Sequence, residues 1–278
     1  MYKGILNIVL VILFFCFQGV LVQAELVKSM EREDATPLTE NQLTKPKGGQ
    51  KQTRTVKKPV SNYILQKSYP DTVILKGPPS KNKVALTFDD GPDPRFTPKI
   101  LDVLKQYDVK ATFFLMGTRA NTYSDIVKRL VKEGHIIGNH TFWHRNLVEQ
   151  VNAGTLRRDV EQTEATLSEI IGYRTKLFRA PYGFLSNNLV EELRDLNYTV
   201  IVWSVDSLDW HENPPIEIAN EVLSNIHPGA IILMHDGGEW GDNRTNTIQS
   251  LYQIIPAIKE QGLEFVTIPE LISIPYEK

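Results

Sequence analysis

Two histidines four residues apart, His140 and His144, and the adjacent aspartates Asp89 and Asp90 are the side chains here best suited to chemistry. Two imidazoles and one carboxylate form a three-ligand set for catalytic zinc, leaving a fourth position open for water. On a helical turn, a spacing of four puts both imidazoles on one face. Gly91-Pro92 makes the chain turn directly after the aspartates and present both carboxylates. One aspartate can then bind an ion while the other takes a proton. Thr141 stands where the H-E-x-x-H zinc proteases carry their general base, so the base must come from elsewhere.

Other residues suit a tetrahedral hydrolysis, which needs an activated water, a stabilised oxyanion and an acid for the leaving group. His235 is the candidate acid, provided that a carboxylate raises its pKa from about 6.5. Asp206 is the candidate for that carboxylate, and Arg179 is expected to pair with a carboxylate and keep it ionised. Each piece also has a purely structural reading. Asp-Asp-Gly-Pro makes a turn, Arg179 a structural ion pair, Asp206 or Asp209 a helix cap, and Trp210 and Leu233 plain core. What weighs against coincidence is where all of these residues fall.

Short apolar, β-rich runs at 84–88, 112–116, 136–138, 177–178, 199–205, 230–234 and 265–268 alternate with helix-like stretches at 97–107, 123–132, 155–171, 189–196, 216–226 and 247–261. Strands joined by helical crossovers imply a parallel sheet, hence an α/β fold. The polar clusters at 87–92, 140–144, 179–183, 206–210 and 233–236 each follow the C-terminal end of one of these strands. A (β/α) barrel brings those ends onto one face, whereas an open sheet would gather fewer of them at a switch point. A barrel is therefore expected.

The chain has 278 residues, 41% hydrophobic and 23% charged, with a net charge of −2 that does not suggest a nucleic-acid partner. Residues 1–80 carry 11 Lys/Arg against 6 Asp/Glu, and the remainder 20 against 27. Lys3, the apolar run at 5–22 and Val22-Gln23-Ala24 make residues 1–24 an export signal, or else an uncleaved membrane anchor. Either places the domain outside the cytoplasm, secreted or associated with the cell wall. Cys16, the only cysteine, lies in that run, which excludes cysteine chemistry in the mature domain. Residues 25–69 read as a polar, basic, disordered linker. It is either a solvated tether or a segment adhering to anionic wall polymers or membrane. The globular domain is expected over 70–278, as a monomer.

Five segments, TFDDGP at 87–92, HTFWH at 140–144, RAPYG at 179–183, DSLDW at 206–210 and LMHD at 233–236, resemble in order the five signature motifs of the NodB-homology polysaccharide deacetylases, carbohydrate esterase family four. The resemblance covers about residues 83–270 and implies a deformed (β/α) barrel of seven or eight strands that hydrolyses acetamido groups on amino-sugar polymers. It implies Asp89 as general base, Asp90, His140 and His144 as ligands to Zn2+ or a similar ion such as Co2+, and Arg179 as the residue orienting the base. It further implies that the Tyr182 backbone N–H helps hold the oxyanion, that Trp210 and Leu233 wall a pocket for the acetyl methyl, and that His235 is the acid, tuned by Asp206. With the export signal and tether, the expected substrate is peptidoglycan N-acetylglucosamine. Chitin oligomers, muramic acid residues, acetylxylan and exopolysaccharide are alternatives, as is a non-catalytic glycan-binding wall protein. A serine hydrolase is set aside for lack of a G-x-S-x-G elbow. His135 and His227, at the N-terminal ends of strands, are expected to be structural. His211 has two open readings, at the cleft rim or structural, and residues 237–241 are expected to line the groove or move.

Overall fold

Nine strands build the sheet of the computed structural model, which describes residues 58–150 and 152–278: β1 (Val73–Ile74), β2 (Lys83–Asp89), β3 (Thr112–Leu115), β4 (Ile136–Asn139), β5 (Leu177–Phe178), β6 (Thr199–Ile201), β7 (Val205–Asp206), β8 (Ile231–His235) and β9 (Glu264–Phe265). The expected leader, Cys16 and the linker as far as residue 57 lie outside the described residues. The sheet runs β1-β6-β5-β4-β3-β2-β8-β7, with β9 added beside the N-terminal end of β2. Every pairing is parallel, so all strands end on the same rim. The path ends at β1 and β7, leaving a curled half-barrel with helices around it. Among the described residues, no helix is long and apolar enough to cross a membrane.

Strand β2 is buried from Val84 to Asp89, which explains its unbroken apolar run: it has a neighbour on each edge and cover on both faces. The two-residue period of a strand then sorts its side chains. Val84, Leu86 and Phe88 pack with Ile100, Leu101 and Leu104 of the helix Thr97–Gln106. Ala85 faces inward, into a cluster with Phe114, Leu177, Ile201 and Ile231, joined by Val266, Ile268 and Leu271. Continuing on that inner face, Thr87 and Asp89 come next towards the rim. In register with them, β8 offers Ile231, Leu233 and His235 beside Ala85, Thr87 and Asp89. The inner surface is thus an apolar plug that turns polar as the strands end.

Three expected elements differ. The run 199–205 is not one strand but two, β6 and β7, at opposite parts of the sheet path. Its apolar sequence hides the break, because the carbonyls of Ile201 and Val202 accept hydrogen bonds from the Arg179 side chain, at 3.1 and 3.2 Å. The strand expected at 265–268 ends at Phe265, since Thr267 and Glu270 form a capping box that starts the helix Ile268–Ile272. Finally, order begins before residue 70. Asn62–Ser68 is helical, Leu65 is fully buried against the β6 side of the sheet, and Val60 N–H donates to the Leu185 carbonyl. With Tyr63 and Ile64 exposed, seven residues hold too little apolar periodicity to reveal that helix.

Candidate metal centre and active site

Asp90, His140 and His144 meet at one point. Asp90 Oδ1 lies 3.2 Å from His140 Nε2 and 3.0 Å from His144 Nε2. All three ligand atoms lie within 4.8 Å of one another. That oxygen is buried and makes no hydrogen bond. A buried carboxylate oxygen left unpaired beside two imidazole nitrogens is costly unless a cation completes it. His140 Nδ1–H donates to the Arg179 carbonyl at 2.9 Å, which leaves the Nε2 lone pair facing the site. Burial would raise the Asp90 carboxyl, but the two imidazoles hold it well below the usual range, so it is ionised. The donor set fits a divalent ion.

The imidazoles do not sit on a helical turn, as their spacing suggested. Residues 140–144 form an irregular loop with Thr141 at φ 64° and His144 at φ 54°. Asn139 Oδ1 accepts from Thr141 N–H at 2.9 Å, and Thr141 Oγ1 accepts from His144 N–H at 3.1 Å, which folds the two rings to 5.1 Å between centroids. Of nine non-glycine residues with positive φ among those described, Asp90, Thr141, His144, Tyr182 and Leu208 fall in the five motifs. Strain of this kind persists where the surroundings over-determine it, typically at functional sites.

Asp89 is held apart from this trio. Its Oδ1 accepts from Arg179 Nη1 at 2.8 Å, and the same nitrogen donates to Thr87 Oγ1 at 2.8 Å. The guanidinium is 1% exposed, lies 4.2 Å from the Phe114 ring, and spends its remaining donors on Ile201 and Val202. Gly138 makes room for that ring, since a Cβ there would sit 2.4 Å from it. Asp89 Oδ2 lies 3.9 Å from His140 Nε2, free of Arg179 and turned towards the metal centre.

His235 closes the far side, but its partner is Asp209, not Asp206. His235 Nδ1–H donates to Asp209 Oδ1 at 2.7 Å, and His235 N–H to Asp209 Oδ2 at 2.9 Å. Thr247 Oγ1 also donates to Asp209, which is 1% exposed. Asp206 Oδ1 instead accepts from Leu208 N–H at 3.0 Å, an Asx turn that brings Asp209 round. Burial would lower the His235 imidazole, yet Asp209, with Asp90 and Asp89 beyond it, raises it to about 9. Two aspartates three residues apart are equivalent in sequence, and only the turn between them tells them apart.

Tyr182, at φ 59°, sets its ring 4.8 Å from that of His144, tilted by 60°. Leu233 is buried one step below His235, opposite Thr87 and Asp206, and Trp210 stands half-exposed with His211 stacked on it at 3.7 Å. His135 is buried at the start of β4, where Nδ1 accepts from Ala111 N–H, and burial lowers its pKa to about 4. His227 sits at the N-terminal side of β8, also away from the rim.

Residues 76–201 match the family model for polysaccharide deacetylase. A peptidoglycan-N-acetylglucosamine deacetylase of Bacillus cereus is 45% identical over 204 residues, covering 73% of this chain and 73% of that protein. The crystal structure of a peptidoglycan N-acetylglucosamine deacetylase bound to an N-hydroxybenzamide superposes with a TM-score of 0.71 at 44% identity, over 73% of this chain and 94% of that one. A pseudoenzyme of carbohydrate esterase family four from Bacillus anthracis superposes at 0.66 with 31% identity, over 71% and 68%. With its five motifs gathered on one rim of a half-barrel, this chain belongs to the polysaccharide deacetylase family.

Proposed function

We propose that this deacetylase removes N-acetyl groups from peptidoglycan N-acetylglucosamine, outside the cytoplasm at the cell wall, using a divalent ion, zinc in the first instance, held by Asp90, His140 and His144. The observation that carries the reading is the convergence of those three ligand atoms beside a second, independently anchored carboxylate, Asp89. A pseudoenzyme among the structural neighbours means that the barrel alone carries no activity. The intact set of base, ligands and acid is what speaks against a merely glycan-binding role.

When bound, the ion would polarise the acetamide carbonyl and make a water acidic enough to lose its proton near neutral pH. Asp89 accepts that proton on Oδ2, while Arg179 fixes Oδ1 in place. The Tyr182 N–H, on a turn with left-handed backbone, is the donor to the oxyanion. His235, charged at neutral pH, donates from Nε2 to the departing amine, with Asp209 holding its Nδ1–H. Leu233 and Trp210 wall the space for the acetyl methyl. Asp206 serves the turn and adds negative charge near His235 without touching it.

The peptidoglycan assignment is supported by the relatives and by the export-like N-terminus. Acetate release from peptidoglycan, chitin oligomers and acetylxylan, measured before and after chelation, tests it. We expect release from peptidoglycan first, lost on chelation and restored by Zn2+ or Co2+. Release that survives complete metal removal, or that favours acetylxylan, would defeat it.

A further inference from the structure

The loop after β8 carries Trp240, 88% exposed, more than any other large hydrophobic side chain among the described residues. A lone exposed tryptophan means little. This one stands on a loop whose backbone is fixed on every side. Arg95 donates to the carbonyls of Trp240 at 2.8 Å, Asp242 at 3.3 Å and Glu239 at 3.4 Å, and is itself ion-paired with buried Asp93 at 2.7 Å. Arg119 donates to the Asp90 carbonyl at 3.1 Å and to the Gly238 carbonyl. Arg244 donates to the Gly237 carbonyl at 2.8 Å. Gly237 and Gly238 permit this packing, since a Cβ on either would sit 2.4 Å from Asp90 O or from Asp242 Oδ2. The loop is thus bolted to the turn that presents the metal-ligand carboxylate, and the indole is held out in water with the Arg95 guanidinium behind it, 5.4 Å from its ring.

The sheet order shows which way the loop faces. Asp89 and Asp90 follow β2, near the middle of the path. On one side, β4 and β5 lead into exposed Trp143 and Tyr182; on the other, β8 and β7 lead into Trp240 and Trp210. Aromatic faces therefore flank the reacting centre from both directions along the rim. A substrate longer than one sugar that lays its acetamide at the ion must pass over this rim. A pyranose face presents polarised C–H bonds that suit the negative face of an indole.

We propose that Trp240 is a second glycan-binding subsite, a rigid platform for a sugar ring further along the polymer from the residue being deacetylated. It rests on the deacetylase reading above and explains what fixes residues 237–241. Because the loop is braced before substrate arrives, little ordering cost attends binding.

The test uses the full, zinc-loaded chain and a ladder of N-acetylglucosamine oligomers from the dimer upward. In the wild type, kcat/KM should climb with oligomer length. Trp240→Ala should flatten that climb, raising KM for the longest oligomer about tenfold, the equivalent of one stacking contact. Trp240→Phe, which keeps an aromatic face, should restore most of it. A Trp240→Ala variant with the wild-type dependence on length, or with the same loss at every length as loop collapse would give, overturns the subsite alone. A wild-type protein that releases acetate from none of the oligomers while retaining zinc overturns the deacetylase reading on these sugars, and the subsite with it.

Discussion

Asp89 and Asp90 are chemically identical neighbours with different surroundings, and the cause is one backbone angle. Asp89 is still in the strand, so alternation points it inward to Arg179. Asp90 is past the strand end at φ 74°, which swings its carboxylate to the histidines. Asp89→Asn should therefore keep the metal and lower kcat by at least about 10²-fold, the scale of a lost proton transfer. His140→Ala should lose the metal. Elemental analysis beside turnover checks both, and a metal-free Asp89→Asn would reverse the assignment. For His235, a pKa near 9 keeps the acid form through neutral pH, so kcat/KM should fall as pH rises through about 9. Asp209→Asn removes the charge that opposes burial, and its alkaline limb should move to lower pH. By linkage, the stability from the raised His235 imidazole is fully present below about pH 6.5 and lost as pH rises through the folded value, while that from Asp209, whose carboxyl is lowered, is lost in acid. An unmoved limb would mean that another group is the acid.

The rim loops work because small residues let backbones and carboxylates approach closely. Gly91, between Asp90 and Pro92, has the Asp236 carboxylate where a Cβ would go, at 2.1 Å. Asp236 cannot easily give way. It is fully buried, holds Thr97 Oγ1 at 2.6 Å, and burial raises its carboxyl to about 7. Gly91→Ala should cost about 1–3 kcal/mol, the range for overpacking a closed interior. Urea unfolding would measure it, and an unchanged midpoint would show that Asp236 is free to shift. The same economy of space explains Gly138 under Phe114 and the Gly237-Gly238 pair against Asp90 and Asp242.

The domain extends further towards the N-terminus than its charge pattern suggested. The helix Asn62–Ser68 buries Leu65 among Val73, Leu189, Val190 and Val200, and Val60 bridges to Leu185, which follows the Tyr182 turn. A chain beginning at residue 70 should thus be less stable than one beginning at residue 58. The loss should be at least about 2 kcal/mol, the low end for removing a buried leucine side chain, or about 4–8 °C in Tm for a domain of this size. Equal melting temperatures would mean that the helix contributes no net stability. At the other end of the domain, Lys278 pairs with Glu164 and lies 3.3 Å from the Tyr198 ring. The Tyr198 hydroxyl in turn accepts from Asn139, the residue that shapes the histidine loop. The metal centre is therefore braced from outside the barrel as well as from within.

What could be read from residues alone was whatever local chemistry encodes. The alternation of apolar runs and helical stretches announced a parallel α/β sheet. The placement of Asp89, Asp90, His140, His144, Arg179 and His235 after strand ends put them on one rim, because parallel strands all finish on the same side. Three matters were decided only in space. The run at 199–205 divides because Arg179, distant in sequence, takes its carbonyls. His235 chooses Asp209 over Asp206 because an Asx turn occupies Asp206 and brings Asp209 round. The loop bearing Trp240 is rigid because Arg95, Arg119 and Arg244 reach it from elsewhere in the chain. Each depends on which long side chain arrives at which carbonyl or carboxylate. Spacing along the chain carries no record of that, since the contacts form only when the sheet curls.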